Sequence, residues 1–487
     1  MKFDSELPLA LSYDDVLLVP QRSPIASRAD VDTTAQFTRR ISLAAPIVSA
    51  NMDTVTEAPM AIAMARAGGI GVIHRFLSID EQVAQVARVK RAEALVIDDP
   101  FTITADLSLE RAMEEMREKG ASGLVVIDAE RRPVGILTRR DTLLRDDPTI
   151  TVAQVMTPAE RLIVAPEGVS ADEAAVTLRD ARIEKLPLID GAGRLAGLIT
   201  LRDLMQLKER PDATKDARGR LVVAAAIGVR GDHLERAKAL VDAGADALVL
   251  DIAHGHMEQA LTAIGEVREW VGDIDIIAGN VATAQGAEDL IAAGADAIKV
   301  GVGPGSVCST RVVAGVGVPQ FTAVSECAGP CRRHDVPLIA DGGIRAGGDV
   351  AKAVGAGGDT VMVGNLFAGT HESPGMVVNR GGSRVKVFRG MASAGAAAAR
   401  RAVDGDVREA LAREDQTEFS PIVPEGVEAV VPLRGNAGEV VAELVGGLRS
   451  GMSYSNAGTI AQMQERARFV RITPAGLKES HPHDVSF

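Results

Sequence analysis

The chain of 487 residues carries a formal net charge of −13 with 46% hydrophobic and 24% charged residues, the balance of a globular enzyme with room for up to about three domains. That acidity excludes sequence-independent nucleic-acid binding, which needs clustered Lys and Arg to displace counterions, and leaves room only for a local basic pocket. Three cysteines, Cys308, Cys327 and Cys331, form no disulfide framework; no apolar leader and no run near the roughly 18 apolar residues of a membrane helix occur, so a reducing, cytoplasmic location without membrane contact is expected.

Residues 1 to about 92 contain YDDVLLVP at Tyr13 and APIVSANMDTVTE at Ala45. The second motif reads as strand, loop, helix, with Asn51, Met52 and Asp53 in the loop. A helix closed by Gly68-Gly69 and a strand over 70–73, ending at His74 and Arg75, follow. These are two successive β/α units.

Between about residues 93 and 207 the chain repeats itself with a period of 62: Asp128 after LVVID parallels Asp190 after LPLID, and VGILTRRDTL at Val134 parallels AGLITLRDLM at Ala196. Two such copies pair to share a core. The unit resembles a tandem pair of cystathionine-β-synthase (CBS) modules, which implies ATP or GTP sites at Thr138 with Asp141 and at Thr200 with Asp203. The same residues equally cap the helices that follow them, and the sequence leaves both readings open. A polar linker spans 208–220.

Beyond it the β/α rhythm resumes, with strands predicted over 221–228, 247–251, 274–279, 297–300, 336–340 and 360–364. Each is a short apolar run, as parallel strands buried on both faces require. The junctions AGADALVLD at Ala243, AGADAIKVG at Ala293 and AGGDTVMVG at Ala356 repeat one helix-Gly-strand punctuation. Two units plus six give eight, so the predicted fold is an α/β (β/α)8 barrel interrupted between its second and third units. The barrel is then built from 1–92 and 208–487, the latter including a flap over about 394–424 and a C-terminal tail, with the duplicated module over 93–207. A doubly wound open sheet is the alternative; the lack of GxGxxG after the first strand weighs against it.

In a (β/α)8 barrel the residues just after the strands share one face and build the active site. Here they are Asn51 and Asp53, His74 and Arg75, Asp251, Asn280, Gly303 to Thr310, Asp341 to Gly343, and Gly364 with Asn365. IADGGIR at Ile339 and MVGNLFAG at Met362 read as paired phosphate cradles, where backbone N–H groups and a helix start face an anion. Cys308, within GPGSVCSTR, is the candidate nucleophile, since thiols at Gly-rich loops or helix starts ionise readily. Cys327 and Cys331 fit a buried helix face.

Taken together, YDDVLLVP, ANMDTVTE, AGNVAT, GPGSVCSTR, ADGGIR, FRGMAS, VPEG, GGLRSGMSY and ESHPHDV resemble, in order and over nearly the whole chain, the inosine monophosphate (IMP) dehydrogenase and guanosine monophosphate (GMP) reductase family. The resemblance implies that Cys308 bonds to carbon 2 of a purine, with Thr310 as proton relay and Glu425 as its partner. It implies nucleotide contacts from Ser306, Asp341, Gly342, Gly343, Gly364, Asn365, Arg389, Gly390, Met391, Ser393 and Gly426. Asp251, Asn280, Gly301 and Gly303 fall where the nicotinamide cofactor lies. Backbone carbonyls of Gly303, Gly305 and Cys308 match a K+ site, and relatives assemble as homotetramers or octamers.

Two departures bear on the reaction. The dehydrogenase hydrolyses its intermediate with an Arg-Tyr pair about a dozen residues before the VPEG glutamate; here Arg413 is followed by Glu414, and the chain's tyrosines are Tyr13 and Tyr454. The expectation is therefore an NADPH-dependent GMP reductase, forming IMP and ammonia, with IMP dehydrogenase (IMP and NAD to XMP and NADH) as the alternative and a non-catalytic nucleotide sensor as a third reading. Phe388 stands where the family more often has a phosphate-touching tyrosine, which implies weaker nucleotide affinity.

Overall fold

In the computed structural model, which describes residues 7–93, 95–143, 150–393, 395–396 and 423–482 and no side chains of 206–208, eight short parallel strands close into a barrel. They are β1 (Ile47–Ser49), β2 (Ile70–Ile73), β3 (Ala224–Ile227), β4 (Ala247–Leu250), β5 (Asp275–Val281), β6 (Ala297–Val300), β7 (Leu338–Asp341) and β8 (Thr360–Val363). Pairing of β8 with β1 and of β2 with β3 closes the ring and rules out the open sheet.

Successive strand residues face opposite sides, and burial follows that parity. Val48, Ile70, Val72, Ala224, Ala226, Ala247, Val249, Ile277, Ala297, Ile339 and Met362 form one buried cluster inside the barrel. Their neighbours Ile47, Ile73, Ala225, Ile227, Leu248, Leu250, Ile298, Val300, Leu338 and Val361 belong to a second cluster under the helices. Many inward residues are alanines, and the space is filled by Phe37 and Leu43, both 0% exposed, delivered by a hairpin of Ala35–Gln36 and Ser42–Leu43. The same hairpin meets the barrel floor through Thr38 Oγ1 and Arg40 Nε, which donate to Asp275 at 2.6 and 2.8 Å.

Helices α1 (Ala58–Arg66), α2 (Ile79–Ala92), α3 (His233–Asp242), α4 (Glu258–Val271), α5 (Ala284–Ala292), α6 (Gln320–Arg333) and α7 (Gly347–Gly355) follow their strands. Directly after β8 comes one short helical turn, Asn365–Ala368. The eighth outer position is taken by α8 (Ala437–Tyr454), which packs on both α7 and α1. Cys327 and Cys331 lie buried on α6; burial pushes the Cys327 thiol up to about 12 and raises Cys331 as well, so both are inert core residues. Between β8 and α8 run three antiparallel strands, β9 (Val377–Arg380), β10 (Ser383–Arg389) and β11 (Glu428–Pro432).

The described residues form two compact units: one lies within Met1–Ala92, Asp212–Asp216 and Leu221–Phe487, the other within Glu93–Pro211 and Ala217–Arg220. Within the second unit, helix Leu109–Glu118 and hairpin Gly123–Ile127/Pro133–Thr138 are matched by helix Ala171–Ala181 and hairpin Lys185–Ile189/Leu195–Thr200. The two hairpins start at 123 and 185, an offset of 62, and share a register shift at equivalent places, Val126/Ile127 and Leu188/Ile189. Each copy has its own apolar cluster.

Two strands run further than expected at their C-terminal ends, while others are shorter. β5 runs on through Asn280 to Val281 across a register irregularity, and β7 includes Asp341. Both polar residues therefore belong to the barrel wall instead of the loops beyond it, because their side chains find partners inside.

Candidate active site

β6 leaves the barrel at Val300, and the chain makes a loop before the short helix Thr310–Val313. Gly301 has φ +152°, and a Cβ there would lie 2.2 Å from the Asp341 carbonyl oxygen, so only glycine fits between these two strand ends. Cys308 is exposed. Its Sγ donates to Thr310 Oγ1 at 3.3 Å, and its N–H donates to the Gly305 carbonyl at 3.1 Å.

A segment more than a hundred residues away lies along this loop as a strand. Ser309 N–H donates to the Glu425 carbonyl at 2.8 Å, Val427 N–H to the Val307 carbonyl at 3.0 Å, and Cys308 stands opposite Gly426. On the other side, Gly390 N–H donates to Val427 at 3.0 Å and Glu425 N–H to Ala392 at 3.1 Å. Gly390, Met391, Ser393, Glu425 and Gly426 thus converge on the Cys308 loop. Ser393 is buried, and its Oγ accepts from the Ala396 N–H at 3.2 Å.

The barrel mouth beside the loop is a polar network. Lys299, 3% exposed, shares the inward parity of Ala297, and its Nζ donates to Asp341 Oδ2 at 2.8 Å and to Asn280 Oδ1. Asn280 Nδ2 donates to Asp341 Oδ2 and to the Gly301 carbonyl, each at 2.8 Å. Across the mouth, Asp251 accepts from Asn51 Nδ2 at 2.7 Å and from Arg75 Nε at 2.9 Å. Asn280 and Asp341 are thereby joined to one another, and Asp251 to the β1 and β2 ends. Lys299 lies inside an otherwise apolar run, and its one signal in the sequence is a lone lysine at an inward strand position.

The two glycine loops are neighbours, since Asp341 pairs with Met362 and Gly342 N–H reaches the Met362 carbonyl at 3.4 Å. Gly342, with φ +96°, packs against Pro304 of the Cys308 loop, while Gly343, with φ +82°, rests on the ring of Tyr13. Gly364 precedes the Asn365 turn and faces Met52 and Phe388, whose Cζ lies 3.8 Å from a Cβ built at Gly364. Ser306 is exposed on the Cys308 loop. The Arg389 guanidinium turns to Asp53, with Nε donating to Oδ2 at 2.8 Å.

Elsewhere, Thr138 Oγ1 donates to Asp141 Oδ2 at 2.7 Å, and Thr200 Oγ1 to Asp203 Oδ2 at 2.5 Å. Both pairs form the helix caps that the sequence offered as one of two readings. Burial raises the Asp203 carboxyl. Arg413 and Glu414 lie outside the described residues. Among the described residues no group of three or more His, Cys, Asp or Glu is placed to hold a metal ion, and no helix is long and apolar enough to cross a membrane.

An exposed thiol hydrogen-bonded to the Thr310 hydroxyl thus sits on a loop beside two glycine turns and a carboxylate network. A family model described as the IMP dehydrogenase / GMP reductase domain matches residues 10–483, and the chain belongs to that family of oxidoreductases, which use NAD(P) cofactors. It is 49% identical over 480 residues to inosine-5'-monophosphate dehydrogenase of Nitrosopumilus maritimus, covering 99% of each chain. It is 48% identical over 489 residues to GMP reductase of Leishmania donovani, covering 99% of this chain and 98% of the relative. A crystal structure of a cysteine-to-alanine variant of GMP reductase from Trypanosoma brucei in complex with guanosine 5'-monophosphate superposes with a TM-score of 0.90 at 45% identity, covering 99% of this chain and 100% of that one.

Proposed function

We propose that the protein is a GMP reductase. The observation that carries this reading is Glu414 after Arg413, where a dehydrogenase would have tyrosine. Neither tyrosine of the chain supplies the missing hydroxyl: Tyr13 is buried behind Gly343, and Tyr454 ends the outer helix α8, 60% exposed. Overall length is as compatible with a reductase as with a dehydrogenase, because relatives named GMP reductase match this chain end to end. IMP dehydrogenase remains the second reading, supported by the retained Arg413 and by relatives of equal identity.

In this reading the Cys308 thiolate adds to carbon 2 of GMP. Thr310, paired with Glu425, passes a proton to the 2-amino group, which leaves as ammonia. NADPH supplies the hydride that carbon 2 accepts. The carbon–sulfur bond then breaks, returning the thiolate and releasing IMP. Asp341 holds the ribose, oriented by Lys299, while N–H groups of Gly343, Gly364 and Asn365 with Ser306 hold the phosphate. Gly342, Arg389, Gly390, Met391, Ser393 and Gly426 complete the nucleotide pocket.

Asp251, Asn280, Gly301 and Gly303 face the nicotinamide side. The fit is chemical: Asp251 and Arg75 have side chains 17% and 18% exposed at the mouth, so polar groups remain accessible there. Carbonyls of Gly303, Gly305 and Cys308 form the candidate K+ site; Gly305 accepts from Cys308 N–H and keeps a second lone pair.

The duplicated unit over 93–207 serves as a nucleotide-responsive regulator, binding ATP or GTP through Thr138, Asp141, Thr200 and Asp203. Assembly is as a homotetramer or octamer. Ammonia release tests the chemistry: with GMP and NADPH, one ammonia should appear per NADPH oxidised, and oxidation without ammonia would refute it.

A further inference from the structure

The Cys308 loop starts at Val300 and is closed by Gln320, the first residue of α6. Gln320 is 2% exposed, and its Nε2 donates to the Val300 carbonyl at 2.8 Å and to the Asp341 carbonyl at 3.1 Å. Both partners only accept, so the N–H end of the amide has to face them. The ladder between β6 and β7 ends with Val300 opposite Ala340. Gln320 therefore joins the two strands one residue beyond their last backbone pair, at the residue whose carboxylate lies in the Lys299 network. Gly301 provides the room, since a Cβ there would also lie 3.1 Å from Gln320 Nε2.

The other end of the amide gains nothing. Gln320 Oε1 is buried without a partner among the described residues, as is the Tyr13 hydroxyl across Gly343; the Tyr13 ring and Gln320 Cγ lie 3.2 and 3.7 Å from a Cβ built at Gly343. Burying an acceptor unsatisfied costs stability, so packing does not account for an amide here. Its two donated bonds do, by fixing the base of the Cys308 loop against Asp341.

We propose that Gln320 is a positioning residue, which sets the Cys308 thiol over the nucleotide that Asp341 holds. This rests on the reading that Cys308 and Asp341 serve one nucleotide. The test is alkylation of Cys308 by iodoacetamide in the full chain, followed by mass spectrometry across a GMP titration. Wild type is compared with Gln320→Met, which fills the space without donors, and Gln320→Glu, which keeps the shape and replaces donors with acceptors.

Both variants should melt within a few degrees of wild type, with half-protection shifted to about 10-fold or more higher GMP, since small misplacements at a reacting centre carry large costs. Half-protection within about twofold of wild type in either folded variant overturns the proposal. So does failure of both to fold, which makes Gln320 structural. GMP that leaves wild-type Cys308 unprotected would instead refute the underlying nucleotide site.

Discussion

The backbone N–H of Ser309 donates to the carbonyl oxygen of Glu425 at 2.8 Å, and this bond lays the Glu425 segment against the loop that carries Cys308 and Thr310. The proposed relay of a proton from Glu425 through Thr310 depends on that alignment. Thr310→Val and Glu425→Gln should each lower kcat by about 10²- to 10⁴-fold, the usual range for general acid–base help, with KM for GMP little changed. Steady-state kinetics check this; a kcat near wild type in either variant would remove that residue from the relay.

Cys308 is exposed and packs little, so Cys308→Ser should leave the melting temperature unchanged. Turnover should fall to background in both reaction directions while GMP still binds. Binding by calorimetry alongside the rate assay separates the two effects, and an active variant would refute the nucleophile.

The para carbon of Phe388 faces Gly364 at the start of the Asn365 turn. Phe388→Tyr adds a hydroxyl where the phosphate is proposed to sit, and a hydrogen bond to a charged group contributes about 1.5 to 3 kcal/mol. KM for GMP should therefore drop by about 10-fold. An unchanged or higher KM would show that the phosphate lies elsewhere.

Asp359, at the β8 entrance, accepts from Leu338 N–H at 2.7 Å and from Gln464 Nε2 at 3.0 Å. Burial raises its carboxyl to about 6, above the ordinary aspartate range. The folded state thus holds the proton more tightly than the unfolded chain. Its stabilising contribution is complete below about pH 4 and is lost as pH rises through about 6. Asp359→Asn removes that ionisation, so the melting temperature of the variant relative to wild type should rise by a few degrees between about pH 5 and about pH 8. Thermal melts at the two pH values check the sign; a constant difference would contradict it.

The barrel was legible because parallel strands buried on both faces read as short apolar runs: the 70–73 and 297–300 predictions coincide with β2 and β6. Legibility failed where a polar side chain faces inward. Asn280 and Asp341 read as loop residues, yet they are wall residues satisfied by Lys299, a partner supplied by parity that no local motif announces. The eighth outer helix was equally hidden, since α8 reaches its place from beyond β11. GPGSVCSTR and VPEG stand out in the sequence as two separate motifs, and only the strand-like pairing of Ser309 with Glu425 shows how they meet.

The central claim is that the chain reduces GMP. Purified full-length protein is given GMP with NADPH, and separately IMP with NAD, and the absorbance of the reduced cofactor is followed. The account predicts loss of that absorbance in the first mixture and little gain in the second; gain with IMP and NAD, and none lost with GMP and NADPH, would contradict it.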